Sequence, residues 1–146
     1  MTKRIDLNSE QDTIDLAYYI GPIIGPGAII SLFGELGSGK TFFVKALGAF
    51  LGISEDIDSP SFVLFKEYHC GRFPLYHLDL YRLKHEDELL DLGLLDMIDS
   101  GITVIEWPEI AQDFLPYQTL ELRFGFDGEQ RYVEVTAQEK LKKYFQ

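Results

Sequence analysis

Apolar and polar positions change rhythm several times along the chain, and each rhythm predicts an element. Ser9 with Asp12 three residues later resembles a capping box, and Ile14, Ala17, Tyr18 and Ile24 then recur near helical spacing. That predicts a first helix stopping around Gly21 to Gly25. "GAIISLF" is almost continuously apolar, as a central strand covered on both faces requires, and it runs directly into a Gly-rich loop. Residues 41 to 51 are apolar nearly all round except for Lys45, which predicts a helix packed deep against a sheet.

The middle of the chain is β-rich: "SFVLFKEYH" and "FPLYHLDLY" flank a short "CGR" connection, predicting an antiparallel hairpin and hence a mixed sheet. "KHEDELLDLG" has an acidic start, a Leu-rich body and a Gly stop at Gly93, so it reads as a helix with its negative charges at the favourable end. "GITVIEW" is a further buried strand. "TLELRFGF" and "RYVEVTA" alternate apolar and polar residues around Asp127-Gly128, the pattern of a closing hairpin. No internal repeat or long linker interrupts this order. The expectation is an α/β fold in one domain over residues 1–146, with a mixed central β-sheet flanked by helices and a C-terminal β-hairpin.

Composition narrows the function classes. The chain is 146 residues long and 46% hydrophobic, enough for a core that buries roughly two-thirds of the unfolded surface. Its 24 acidic and 13 basic residues give a net charge of −11, which argues against strong direct binding to a nucleic-acid backbone. Lys140, Lys142 and Lys143 form one basic cluster and read as a solvated helix end. Cys70 is the only cysteine, so no intramolecular disulfide forms, and "MTKRIDLNSEQ" lacks the apolar core of a signal peptide. With no apolar run approaching the length of a membrane span, a cytoplasmic location without membrane attachment is expected.

The Gly-rich loop carries the chemistry. Gly34-Glu35-Leu36-Gly37-Ser38-Gly39-Lys40-Thr41 matches the P-loop pattern GxxxxGK[ST] between a predicted strand and a predicted helix. Glycines let successive backbone N–H groups turn toward phosphate oxygens, and the following helix presents its positive end. Lys40 suits the β- and γ-phosphates, and the Thr41 hydroxyl suits a Mg²⁺ shell. An acidic partner for the metal belongs at the end of a neighbouring strand. Glu106 ends the more continuous apolar run and is the better metal-side carboxylate; Asp79 in "YHLDLYR" is placed to meet the nucleotide, its metal water or the attacking water. Trp107 suits either the core or a cover over the site, His77 reads as a satisfied structural histidine, and Phe42, Phe43 and Phe50 read as core. "DSPSFVLF" reads either as a rigid turn into a strand or as a segment whose Ser59 and Ser61 sense a γ-phosphate.

Taken together, "GELGSGKT", "SPSF", "YHLDLYRL", "ELLDLGLLDMI" and "VIEWPE", in this order, resemble the bacterial TsaE (YjeE-like) family of tRNA threonylcarbamoyladenosine biosynthesis ATPases. The resemblance spans residues 10 to 116 and is carried by the combination, since the P-loop alone is shared by many NTPases. It implies a small P-loop NTPase-type domain that binds and hydrolyses ATP with Mg²⁺, slowly alone and faster with a complex of TsaD-like and TsaB-like proteins. That complex transfers a threonylcarbamoyl group to the adenosine beside the anticodon of tRNAs reading codons that begin with A, so tRNA is met only indirectly. By position, the resemblance implies that Gly37, Ser38, Gly39, Lys40, Thr41 and Phe42 surround the phosphates, with Thr41 and Glu106 on Mg²⁺. Lys40, Asp79 and Glu106 are the catalytic candidates, and Glu10 and Arg131 are implied nucleotide contacts. Lys45 stands where the family usually has Arg. Two rival readings use the same loop: a small-molecule P-loop kinase, and a nucleotide-dependent assembly switch without significant catalysis.

Overall fold

The structure is a computed structural model that describes residues 2–35, 37–58, 65–85, 87–88, 93–113 and 115–146. Seven strands form one mixed sheet in the order β1-β7-β6-β2-β5-β4-β3. They are β1 (Thr2–Leu7), β2 (Ile29–Phe33), β3 (Phe65–Tyr68), β4 (Leu75–Asp79), β5 (Ile102–Glu106), β6 (Leu120–Asp127) and β7 (Gln130–Ala137). The central strands β6, β2, β5 and β4 run parallel, while β3, β7 and β1 pair antiparallel at the margins. Every residue of β2, β4 and β5 is buried, as parallel strands covered on both faces demand.

One face of the sheet carries α1 (Glu10–Ile20) and α2 (Lys40–Phe50), packed on Ile30, Leu32, Val104 and Leu122. Phe43 and Leu47 of α2 are fully buried there. Side chains of this size contribute about 1.5–3 kcal/mol each by leaving water. The opposite face, with Ile29, Leu78 and Ile105, is covered by Leu94 and Ile98 of the short helical segments around Leu94–Met97 and by Ala111 and Leu115.

The expected antiparallel hairpins are present as β3–β4 and β6–β7. In the second, Asp127 pairs with Gln130 and Gly128 turns the chain at φ 67°. Ser9 caps α1 as expected, its hydroxyl accepting from Asp12 N at 3.4 Å, and Asp12 Oδ2 accepts in return from Asn8 N at 2.7 Å. The inner face of α1 differs from the expected one: Thr13, Leu16, Ala17 and Ile20 are buried, whereas Tyr18 is 45% exposed and rests edge-on against Phe50. The reason is the helix phase set by the cap, which places 13, 16, 17 and 20 on one stripe. Strand β1 was not foreseen, because its polar residues carry only a weak period-2 signal; pairing with β7 recruits it as an edge.

Half of the segment "KHEDELLDLG", residues 86 and 89–92, and all of "SPSF" fall outside the described residues, and with them the helix and the turn or switch expected there. Gly93, expected as a helix stop, precedes the short helix Leu94–Met97 at φ 69°. The C-terminal lysines lie in a 3₁₀ segment, Glu139–Phe145, held down by buried Leu141 and Phe145, with Lys142 paired to Glu139 at 2.8 Å. Among the described residues, no helix is long and apolar enough to cross a membrane.

Candidate functional site

The site forms where β2, β4 and β5 end together. Beyond β2 the chain turns at Gly34 with φ 139°, where a Cβ would stand 2.7 Å from Ser38 Oγ and 2.8 Å from the Phe124 carbonyl oxygen. Only glycine accepts both that dihedral and that approach. Gly39 (φ 110°) then starts α2, so that Lys40 and Thr41 occupy its first turn and the helix N-terminus faces the loop. Beside Gly37 a Cβ would meet nothing, so the cradle of the loop is open at that point. Ser38 Oγ is buried and has no hydrogen-bond partner among the described residues. An open cradle of backbone with an unpaired hydroxyl fits a polyphosphate.

Lys40 is only 4% exposed, yet its ammonium is not idle. Nζ donates to the Gly34 carbonyl oxygen at 2.5 Å and lies 3.7 Å from the centre of the Trp107 ring. Burial lowers its pKa below the ordinary lysine value, and the carboxylates of Glu106, Asp79 and Glu109 oppose that shift. Trp107 is therefore part of the site. It is the only non-glycine residue with positive φ among the described ones, at 56°, and its ring also packs 4.9 Å from that of Tyr81. Left-handed backbone at so bulky a residue is costly and tends to be kept where a side chain must be aimed.

The two acidic candidates are brought side by side. Asp79 ends β4 and Glu106 ends β5, and the two residues are direct neighbours in the parallel register. Glu106 is 3% exposed; Thr41 Oγ1 donates toward it at 3.2 Å to Oε1 and 3.4 Å to Oε2. A hydroxyl and a carboxylate this close, both hard oxygen donors, fit a small divalent cation. Asp79, also 3% exposed, accepts from Tyr81 N at 3.0 Å, which aims its carboxylate.

Glu10 and Arg131, both exposed, do come together with the loop. They line a cleft of about 500 Å³ that also includes Asn8, Ser38, Gly39 and Phe42. Phe42 is thus half-buried at the cleft and not core, whereas Phe43 is core as expected and Phe50 is partly buried against Tyr18. Lys45 projects from α2 as an exposed residue. A second cleft, about 340 Å³ and lined by Gly25 to Gly27, Tyr117 and Lys140, contains none of the predicted site residues.

Sequence reasoning left His77 outside the site. His77, expected to be a satisfied structural histidine, is fully buried and bonds through Nε2 to Glu106 Oε2 at 2.5 Å, while its Nδ1 has no partner among the described residues. The signal was the His-x-Asp spacing, which puts both side chains on one face of a strand.

Fold and site together define an α/β protein of the P-loop class, with its acidic side chains on the strands next to the loop. A family model described as "Threonylcarbamoyl adenosine biosynthesis protein TsaE" matches residues 7–133, so the chain belongs to the TsaE family. Similar proteins bear the name tRNA threonylcarbamoyladenosine biosynthesis protein TsaE. The Nostoc sp. protein is 42% identical over 144 residues, covering 93% of this chain and 86% of that protein. The Rickettsia bellii protein is 38% identical over 132 residues, covering 89% and 92%. The crystal structure of YdiB from Bacillus subtilis superposes with a TM-score of 0.80 at 27% identity, covering 99% of this chain and 91% of that one.

Proposed function

We propose that this chain is a single-domain, magnesium-dependent ATPase that serves threonylcarbamoyladenosine formation in tRNA, acting on a TsaD–TsaB-type complex to allow its turnover. The observation that carries the catalytic part is the convergence of Lys40, Thr41, Asp79 and Glu106 at the ends of three adjacent central strands and the helix that follows the loop. Membership of the TsaE family carries the pathway.

In this reading Gly37, Ser38, Gly39 and Phe42 cradle the nucleotide, and Glu10 and Arg131 hold its far end in the adjoining cleft. Lys40 leaves the Gly34 carbonyl and the Trp107 face to meet the phosphates. A Mg²⁺ held by Thr41 and Glu106 neutralises phosphate charge when bound. Asp79, aimed by Tyr81 N, orients the attacking water and receives its proton. Burial of Lys40, Asp79 and Glu106 makes their contacts stronger than they would be in water. The acidic surface suits basic protein partners that hold the RNA, without direct backbone binding by this chain.

A kinase needs arginines free to close over a transferring phosphoryl group. Here Arg4, Arg72 and Arg123 are stacked on Tyr132, Phe50 and Phe33. The deciding experiment measures ATP hydrolysis by the purified chain alone and with the partner complex, alongside tRNA modification. Slow hydrolysis that rises with the complex is expected. Hydrolysis unchanged by the complex, together with phosphate transfer to a metabolite, would overturn the reading.

A further inference from the structure

We propose that His77 is a positioning residue that locks the Glu106 carboxylate in its orientation toward Thr41 and the metal. The inference rests on the reading of Glu106 as the metal-side carboxylate. On β4, Leu75, His77 and Asp79 alternate onto the α2 face of the sheet, the face to which Val104 and Glu106 project from β5. His77 is directly opposite Val104 and diagonal to Glu106, within reach of its carboxylate.

Two side chains hold the carboxylate. Oε2 takes the imidazole Nε2 at 2.5 Å, and Oε1 has the shorter contact to Thr41 Oγ1 at 3.2 Å. A carboxylate only accepts, so Nε2 carries the ring proton and donates it. The imidazole on Oε2 and the Thr41 hydroxyl, 3.2 Å from Oε1 and 3.4 Å from Oε2, together restrict rotation of the carboxylate and keep it against the first turn of α2. A fully buried polar ring in an otherwise apolar strand is costly unless it is hydrogen-bonded. With Nδ1 lacking a partner among the described residues, the bond to Glu106 is what the ring's polarity serves. Being 0% exposed, His77 cannot touch the nucleotide and acts only through Glu106.

Carboxylates that bind metals are commonly held by such outer hydrogen bonds, and their loss typically costs about 10–100-fold in metal affinity. Calorimetric titration with ATP, once with Mg²⁺ and once with EDTA, tests this on wild type, His77→Leu, His77→Gln and His77→Asn. His77→Leu should weaken binding about 10–100-fold in Mg²⁺ but within about threefold in EDTA. Gln reaches Glu106 with an amide nitrogen near the Nε2 position and should restore most of the Mg²⁺ effect; Asn is one methylene too short and should not. If His77→Leu fails to fold, the Gln and Asn variants decide the matter between them. Equal Mg²⁺ dependence in Gln and Asn, or equal weakening with and without Mg²⁺, would overturn the proposal by making His77 merely structural. A wild-type affinity that is the same in Mg²⁺ and EDTA would overturn the underlying site reading instead.

Discussion

The phosphate end of the site and the cleft beside it are built in opposite ways. Asp79, Glu106 and His77 on central strands and Lys40 on the first turn of α2 are at most 4% exposed, and each has at least one polar atom held by a named partner. Glu10 and Arg131 are exposed residues on α1 and on the marginal strand β7. Burial gives the first group strong, aimed electrostatics at the cost of tolerance, because any unpaired buried group loses its full solvation. The cleft-side pair can shift with solvent filling in. Changes at the phosphate end should therefore alter rate, while changes at the cleft should alter affinity by modest amounts.

The most disruptive test of that contrast is Lys40→Ala. It should reduce hydrolysis roughly 10²–10³-fold and also weaken ATP binding, read by turnover and calorimetry together. Unchanged affinity and tRNA modification would show that the loop is not the nucleotide site. Next, Asp79→Asn should lower turnover by about 10²-fold while ATP affinity stays within a few-fold, since it removes a proton acceptor and keeps the shape. Equal loss in both quantities would move Asp79 from catalysis to binding. Arg131→Ala should weaken ATP binding several-fold and leave the rate at saturating ATP nearly unchanged; a large fall in that rate would erase the distinction between the two regions. Smallest is Ser9→Ala, which removes the cap that starts α1 beside the cleft. It should cost about 1 kcal/mol and lower the melting temperature by about 2–4 °C, with turnover retained.

Legibility followed the same division. Lys40 and Thr41 sit in one contiguous loop motif, and Asp79 and Glu106 each end an apolar run, so motif and strand pattern between them pointed to all four. Glu10 and Arg131 stand in no local pattern; their meeting depends on α1 following β1 and on β7 pairing between β1 and β6. His77 was legible only as a satisfied structural histidine, because the partner that ties it to the site lies 29 residues away on a neighbouring strand. Tyr18 was assigned to the wrong face of α1 because four apolar residues near helical spacing do not set the phase as closely as the Ser9 cap does. Strand β1, with charged and polar residues at the sheet edge, gains its conformation from β7 and not from its own preference.

What the sequence determined by itself are the local units: strand, glycine turn and helix around residues 28 to 51, the two hairpins, and the residue types able to hold phosphate and metal. These depend on dihedral freedom, side-chain periodicity and caps, all of which act over a few residues. What only the tertiary structure decided is which of those residues meet. Strand order set Asp79 beside Glu106, aimed Lys40 at the Trp107 ring, and gave the buried His77 its bond to the Glu106 carboxylate. Those contacts join segments distant in sequence, and they form because packing a covered parallel sheet leaves each buried polar group only a few partners to choose from.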